Sequence, residues 1–125
     1  MQLSDRDAVD FLSGGDTVHD GYLIGLTLAQ GKNEWDVVLH LTFITRKGHD
    51  SRYTLTLSDG VSFDYDFSNE TVLSQIAFVK CLWTDDGIFY LSLDPWKESE
   101  RFISEQDADW FRSKSALLTV SRSGD

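Results

Sequence analysis

The stretch Gly60-Val61-Ser62-Phe63-Asp64-Tyr65-Asp66-Phe67 decides the fold class, because apolar and polar residues alternate through it without a break. Successive side chains of a β-strand point to opposite faces. The alternation therefore places Phe63 and Tyr65 on one face and Asp64 and Asp66 on the other. This pattern is typical of a half-buried antiparallel strand whose outer face is acidic.

The same period of two recurs along much of the chain, and turn signals separate the stretches. Its apolar members are Tyr22, Ile24, Leu26 and Leu28, then Trp35, Val37, Leu39, Leu41 and Phe43, then Tyr53, Leu55 and Leu57. Ser58-Asp59-Gly60 and Asp85-Asp86-Gly87 each predict a tight hairpin. About seven strands joined by short turns favour a mainly β fold, either an antiparallel sandwich or a curved meander.

Two short helices are expected beside these strands. Ser4 to Ser13 has a capping serine, acidic residues in its first turn and an apolar stripe, and Gly14-Gly15 ends it. A second short helix is predicted near residues 105–113, before a last strand. A chain of 125 residues is expected to form one domain, residues 1–125.

The composition limits the classes of partner. With 21 acidic and 11 basic residues the net charge is −10, which disfavours nucleic-acid binding and favours a basic protein partner. Solubility alone is the simpler explanation of such a surface. The single cysteine, Cys81, excludes an internal disulfide and is predicted to be a buried core residue. No signal stretch or membrane span is apparent, so we expect no membrane association and a cytoplasmic protein.

Residue patterns that would carry chemistry are weak. His19-Asp20 resembles the metal-binding pair of phosphohydrolases, but only His40 and His49 remain to complete such a site. We therefore expect His19 or Asp20 to orient a structural turn by hydrogen bonding. There is no glycine-rich phosphate loop and no Gly-x-Ser-x-Gly elbow. The sequence predicts no catalytic residue, metal or cofactor, and a metal-dependent hydrolase remains only a third hypothesis.

Charged and aromatic residues supply the candidates for partner binding. Asp64 and Asp66 share one face about 6.6 Å apart, where they are either simply solvated or bind a cation or two basic groups of a partner. Asp85 and Asp86 combine turn chemistry with charge. Two tryptophans lie outside the regular strands and either anchor a partner or cover the core; they are Trp96 and Trp110. The alternative to a protein partner is a small, carbohydrate-like ligand held by exposed tryptophans.

Three segments carry a resemblance to a known family; they are Asp16 to Leu26, Thr54 to Val61 and Gly87 to Leu93. The family is the immunity protein 50 family of bacterial polymorphic toxin systems. The first segment is similar to its loop ending in His-Asp before a strand, the second to its hairpin strand ending in Gly-Val, and the third to a later strand. The resemblance would span most of residues 7–121. It implies a small β-protein that binds and neutralises a toxin, without catalytic residues of its own.

Overall fold

The computed structural model of the chain describes residues 1–14, 18, 20–33, 36–45, 51–66 and 75–122. Nine strands and one helix occur in this part of the chain. They are β1 (Gln2–Ser4), α1 (Arg6–Ser13), β2 (Tyr22–Gln30), β3 (Val37–Thr45), β4 (Ser51–Ser58), β5 (Ser62–Asp64), β6 (Lys80–Trp83), β7 (Phe89–Asp94), β8 (Ala108–Ser113) and β9 (Ser115–Arg122). The predictions for His19 and Trp35 lie outside the described residues.

The strands form two antiparallel sheets. Sheet A has five strands in the order β1-β9-β4-β3-β2, and sheet B has four in the order β5-β8-β7-β6. The predicted mainly β fold is confirmed, and of its two predicted arrangements the structure has the antiparallel sandwich, with nine described strands instead of about seven. The strands that were not predicted are β1, which has only three residues, and β8, whose residues were expected to be helical.

The hydrophobic core lies where the inner faces of the two sheets meet. Sheet A contributes alternate residues of its central strands, as the period of two predicts; they are Leu39, Leu41, Phe43, Tyr53, Leu55, Leu57, Ala116, Leu118 and Val120. Sheet B contributes Cys81, Phe89, Leu91 and Phe111. The Cys81 side chain is only 3% exposed, so its predicted core position is confirmed.

Helix α1 connects the two sheets, contacting β1 and β9 of sheet A and β6 of sheet B. It begins at Arg6 because the preceding residues pair with β9. Asp5 adopts a φ of 49°, and its main-chain N–H and Oδ1 both bond the backbone of Ala116 at 2.8 Å. At the other end, Ser13 Oγ donates to the carbonyl oxygen of Cys81 at 3.1 Å.

The helix predicted near residues 105–113 is wrong. Ala108–Ser113 is strand β8, which lies between β5 and β7 in sheet B. The acidic residues before Trp110 suggested the first turn of a helix. Instead the Asp107 side chain is buried against residues distant in sequence, and the Phe111 side chain enters the core. A tertiary contact therefore overrides the local signal.

One of the two predicted hairpins is also wrong. Asp59 and Gly60 have φ values of 64° and 75°, as in a tight turn, but this turn carries the chain from β4 in sheet A to β5 in sheet B. In contrast, Asp85-Asp86-Gly87 joins the paired strands β6 and β7, and Gly87 has a φ of 78°. Turn chemistry thus identified both reversals but not which strands pair.

No helix in the described residues is long and apolar enough to cross a membrane.

Candidate functional site

Residues 95–107, here called the strap, run between β7 and β8 and are anchored on the outer face of sheet B. The anchor is Lys80 of β6, whose side chain is fully buried. Its Nζ donates to both carboxylate oxygens of Asp107, at 3.0 and 2.9 Å, and to the carbonyl oxygen of Phe102 at 3.1 Å. Glu100 Oε1 is a further acceptor at 3.4 Å. One buried cation therefore holds three positions of the strap.

The Asp107 carboxylate is the second half of this anchor. Besides Lys80 it accepts hydrogen bonds from Tyr90 Oη at 2.8 Å, the N–H of Trp96 at 2.9 Å and the N–H of Ser104 at 3.1 Å. Burial alone would raise its pKa, but these hydrogen bonds outweigh burial and hold the pKa below its ordinary value. Burial, together with the bond to Asp107, raises the pKa of Tyr90. The carboxylate is thus saturated with donors and structural in character.

The strap holds large apolar side chains in solvent. Trp96 is 56% exposed and Phe102 is 61% exposed, although the backbone of each bonds to the buried anchor. Phe78, just before β6, is 54% exposed. Glu98 of the strap accepts a hydrogen bond from the N–H of Val79 at 2.8 Å, which brings the strap beside Phe78. These aromatic residues lie on a segment with a fixed backbone.

Four aspartates gather near the end of sheet B where the strap begins; they are Asp64, Asp66, Asp94 and Asp109, here called the acid cluster. Asp109 Oδ1 accepts a hydrogen bond from the N–H of Asp66 at 3.0 Å. Burial raises the pKa of Asp109, and the negative charges of Asp94, Asp66 and Asp64 raise it further against that hydrogen bond. The like charges therefore interact with one another in the isolated protein.

Trp110 links the acid cluster to the strap anchor. It lies directly opposite Asp64 across the β5–β8 pair. Its ring stacks on Tyr90 with centroids 6.4 Å apart, and the guanidinium carbon of Arg112 lies 5.1 Å from the ring centroid. Trp110 is therefore half-buried, with its ring held between the anchor and a cation.

The structure brings some of the predicted site residues together and separates others. Asp64, Asp66 and Trp110 adjoin one another, and Trp96 is tied to Asp107, next to β8. Asp85 and Asp86 are exposed in the β6–β7 turn, at the opposite end of β7 from Asp94. Six residues of strand place them roughly 16 Å from the acid cluster.

Asp20, the described half of the predicted His-Asp turn, has a φ of 65°. Its N–H donates to the carbonyl oxygen of Ile76 at 2.8 Å, and its own carbonyl oxygen accepts from Gln75 Nε2 at 3.2 Å. Asp20 thus sits in a turn that joins the start of β2 to the segment before β6. Within the described residues no group of three or more His, Cys, Asp or Glu side chains is placed to hold a metal ion.

Sequence reasoning missed Lys80, Asp107, Asp94 and Asp109. Lys80 did carry a signal, because it is a single charge inside the apolar run Val79 to Trp83, and a charge in a buried strand needs a buried partner. The partner lies 27 residues along the chain. Nothing local distinguishes Asp107 from its exposed neighbours.

A concave feature lies on sheet A. It is an open depression of about 790 Å³. Its lining residues are Lys32, Asn33, Asp36, Val38, Thr56, Ser58, Asp59, Gly60 and Ser115. Trp96 and Trp110 do not belong to this lining, so the depression is separate from the strap and the acid cluster.

No family model, curated protein or solved structure matches this chain.

Proposed function

We propose that this protein is a non-enzymatic, acidic domain that binds a protein partner in the cytoplasm. The binding surface is the strap together with the acid cluster. The observation that carries the proposal is the exposure of Trp96 and Phe102 on a segment fixed from beneath by the buried Lys80–Asp107 pair. Large aromatic side chains are the commonest anchors of protein interfaces.

The buried pair supports this function through rigidity. Removing a lysine and an aspartate from water costs several kcal/mol for each ion, which only good geometry offsets. A strap held this way loses little conformational entropy when a partner binds. Trp96 and Phe102 are therefore presented in a preorganised arrangement.

The acid cluster supports a basic partner. Asp109 is partly desolvated and lies among three other carboxylates that disfavour its ionised form. A lysine or arginine of a partner placed there would relieve this repulsion and gain charge-assisted hydrogen bonds. The net charge of −10 would also accelerate the encounter.

An immunity protein that neutralises a basic toxin is the specific form of this proposal. Its support is the resemblance of three segments to the immunity protein 50 family, together with the acidic surface. The partner expected on this basis is a toxin of the same or a neighbouring cell, bound tightly enough to be neutralised.

Paired charge variants test the surface. The partner is first captured from a lysate of the encoding organism at low salt, purified, and its association rate measured by surface plasmon resonance. Asp64→Asn with Asp66→Asn removes two charges from the acid cluster. Asp85→Asn with Asp86→Asn removes two charges from the β6–β7 turn, so both variants go from −10 to −10 + 2 = −8. We expect the first variant to slow association about tenfold and the second to have little effect.

A third variant addresses the aromatic anchor. Trp96→Ala should weaken binding by about 2 kcal/mol, or roughly 30-fold. Ile24→Ala, an exposed apolar residue of sheet A, is its control. Equal losses from both aspartate pairs, or full affinity of Trp96→Ala, would contradict the proposed surface.

A small-ligand module is the second candidate, favoured by the depression on sheet A. Hydroxyl, amide and carboxylate groups line it, and such groups hydrogen-bond polyols and sugars. Chemical shifts of Thr56, Ser58 and Ser115 would move on titration with a saccharide panel. Unchanged spectra at millimolar saccharide would eliminate this candidate.

A further inference from the structure

The outer face of sheet A has four cross-strand rows of residues. Their positions follow from the strand register and lie on the side opposite the core residues. The first two rows are Ala29, Val38, Ser58 and Ser115, and Thr27, His40, Thr56, Leu117 and Ser4. The other two are Gly25, Thr42, Thr54, Thr119 and Gln2, and Tyr22, Ile44, Arg52 and Ser121. All of these residues are half-buried or exposed.

This face is almost free of charge in a strongly acidic protein. Its described rows contain no Asp, Glu or Lys, and Arg52 is their only formally charged residue. Two copies of a chain with net charge −10 repel each other over most orientations. Two copies that meet through the outer face of sheet A avoid short-range repulsion between carboxylates, because neither copy presents a carboxylate within this face.

The charges at the two ends of the face are complementary. Arg52 lies near one end of β4, and its side chain makes no hydrogen bond or ion pair within the described residues. The depression lies at the other end, where Asp36 and Asp59 line it together with Lys32. Arg52 and Ser58, at the rim of the depression, are six residues or about 20 Å apart along β4.

We propose that this face binds a second copy of the chain in a two-fold symmetric dimer. A two-fold axis that crosses the strands at Leu55, midway between Arg52 and Ser58, places Arg52 of each copy at the depression of the other. The guanidinium then meets Asp36 and Asp59, a geometry in which arginine and carboxylates pair well. Such an interface is isologous, with both copies using the same surface.

The available area suffices for a stable contact. Five strands about 4.8 Å apart and four rows about 6.7 Å apart give a face of roughly 600 Å² for each copy, since β1 spans only part of it. The dimer would bury about 1,200 Å² in total, above the roughly 1,000 Å² expected of a specific interface. Threonine and serine side chains are short, so two sheets can approach closely at little cost in side-chain entropy.

The dimer is independent of the proposed partner-binding function, because the strap and acid cluster belong to sheet B. It would present two acidic surfaces pointing away from each other. Failure of one proposal leaves the other intact, since the variants that test them lie on different sheets.

Sedimentation equilibrium of the full chain tests the dimer at 10–300 µM protein. We expect a mass approaching twice 14.2 kDa as concentration rises. Thr54→Lys, at the centre of the face, should weaken dimerisation by at least about tenfold, because it buries a lysine against the partner. Ser62→Lys, on β5 of sheet B, makes the same charge change and should leave the dimer intact. Circular dichroism and thermal unfolding check that both variants fold.

A charge exchange tests the orientation. Arg52→Glu should weaken the dimer, and Arg52→Glu combined with Asp59→Arg should restore it. A wild-type chain that remains monomeric throughout would overturn the proposal, as would a Thr54→Lys variant that still dimerises or a Ser62→Lys variant that does not. A dimer unaffected by Arg52→Glu would overturn the two-fold arrangement.

Discussion

Replacing Asp107 by asparagine should release the strap. Both oxygens of the Asp107 carboxylate act as hydrogen-bond acceptors. Their donors are Lys80, Tyr90 and the N–H groups of Trp96 and Ser104. An amide offers one acceptor oxygen and an NH₂ group that can only donate. Either amide orientation therefore sets donors against donors and leaves the buried Lys80 charge with only its longer ion pair, to Glu100 at 3.4 Å.

The expected loss of stability is large. Breaking a buried pair by removing one partner costs about 3–5 kcal/mol, a substantial share of the roughly 5–15 kcal/mol available to a domain. For a chain of this size the melting temperature should fall by about 12–20 °C. Urea unfolding followed by circular dichroism measures the free energy, and a thermal scan measures the shift.

A local readout separates strap release from general weakening. Lys97 and Arg101 are exposed on the strap, and native trypsin should cleave there much faster in Asp107→Asn than in wild type. Lys80→Met combined with Asp107→Asn removes both charges. The double variant should lose less stability than the sum of the losses of Lys80→Met and Asp107→Asn, by about 2 kcal/mol or more.

The stabilisation that Asp107 provides should depend on pH. Hydrogen bonds hold the folded-state pKa of Asp107 below 3.8, so its stabilising effect is present above that pH and disappears as the pH falls through the lower folded-state value. The stability difference between wild type and Asp107→Asn should narrow only in that acidic range. A difference under about 1 kcal/mol at pH 7, or strict additivity in the double variant, would refute the assignment of a buried anchor.

Other expected outcomes follow from single features. Asp109→Asn should raise the free energy of unfolding at pH 7, because it removes a carboxylate whose ionised form is disfavoured by burial and by neighbouring aspartates. The gain should be at most about 1 kcal/mol, since solvent screens a partly exposed carboxylate. Urea titrations should find no gain below pH 3.8, where the aspartate is protonated in the folded and the unfolded state. Added salt should weaken partner binding at the acid cluster because it screens exposed charges, and calorimetry at 50 and 500 mM NaCl measures the change in affinity. Gly87→Ala should cost about 1 kcal/mol in urea unfolding because φ is 78° there, whereas alanine in place of the exposed Ser99 is the neutral control.

The sequence predicted the fold class because period-two patterning is a local property. Leu39, Leu41 and Phe43 alternate with polar neighbours, and all three enter the core. The turn at Asp85 to Gly87 was also predicted correctly, since a position with positive φ favours glycine. The failures at residues 105–113 and at Ser58 to Gly60 concern which distant segment a strand or side chain meets.

The candidate site was predictable only in part for the same reason. Asp64, Asp66 and Trp96 are recognisable as exposed charge and exposed aromatic surface. Their neighbours are set by the pairing of β5 with β8 and by the contact of Lys80 with Asp107. A local segment of sequence predicts neither the register of two paired strands nor a contact between residues 27 positions apart.

The position of β9 has a consequence during synthesis on the ribosome. This strand lies between β1 and β4, so β1 has no described neighbour in its sheet until β9 has left the exit tunnel. The nascent chain must therefore carry β2 to β8 without a finished sandwich. Native pairing across such sequence separations is slow, on the order of milliseconds to seconds. A growing chain of this protein should therefore depend on holding chaperones until β9 has emerged from the exit tunnel.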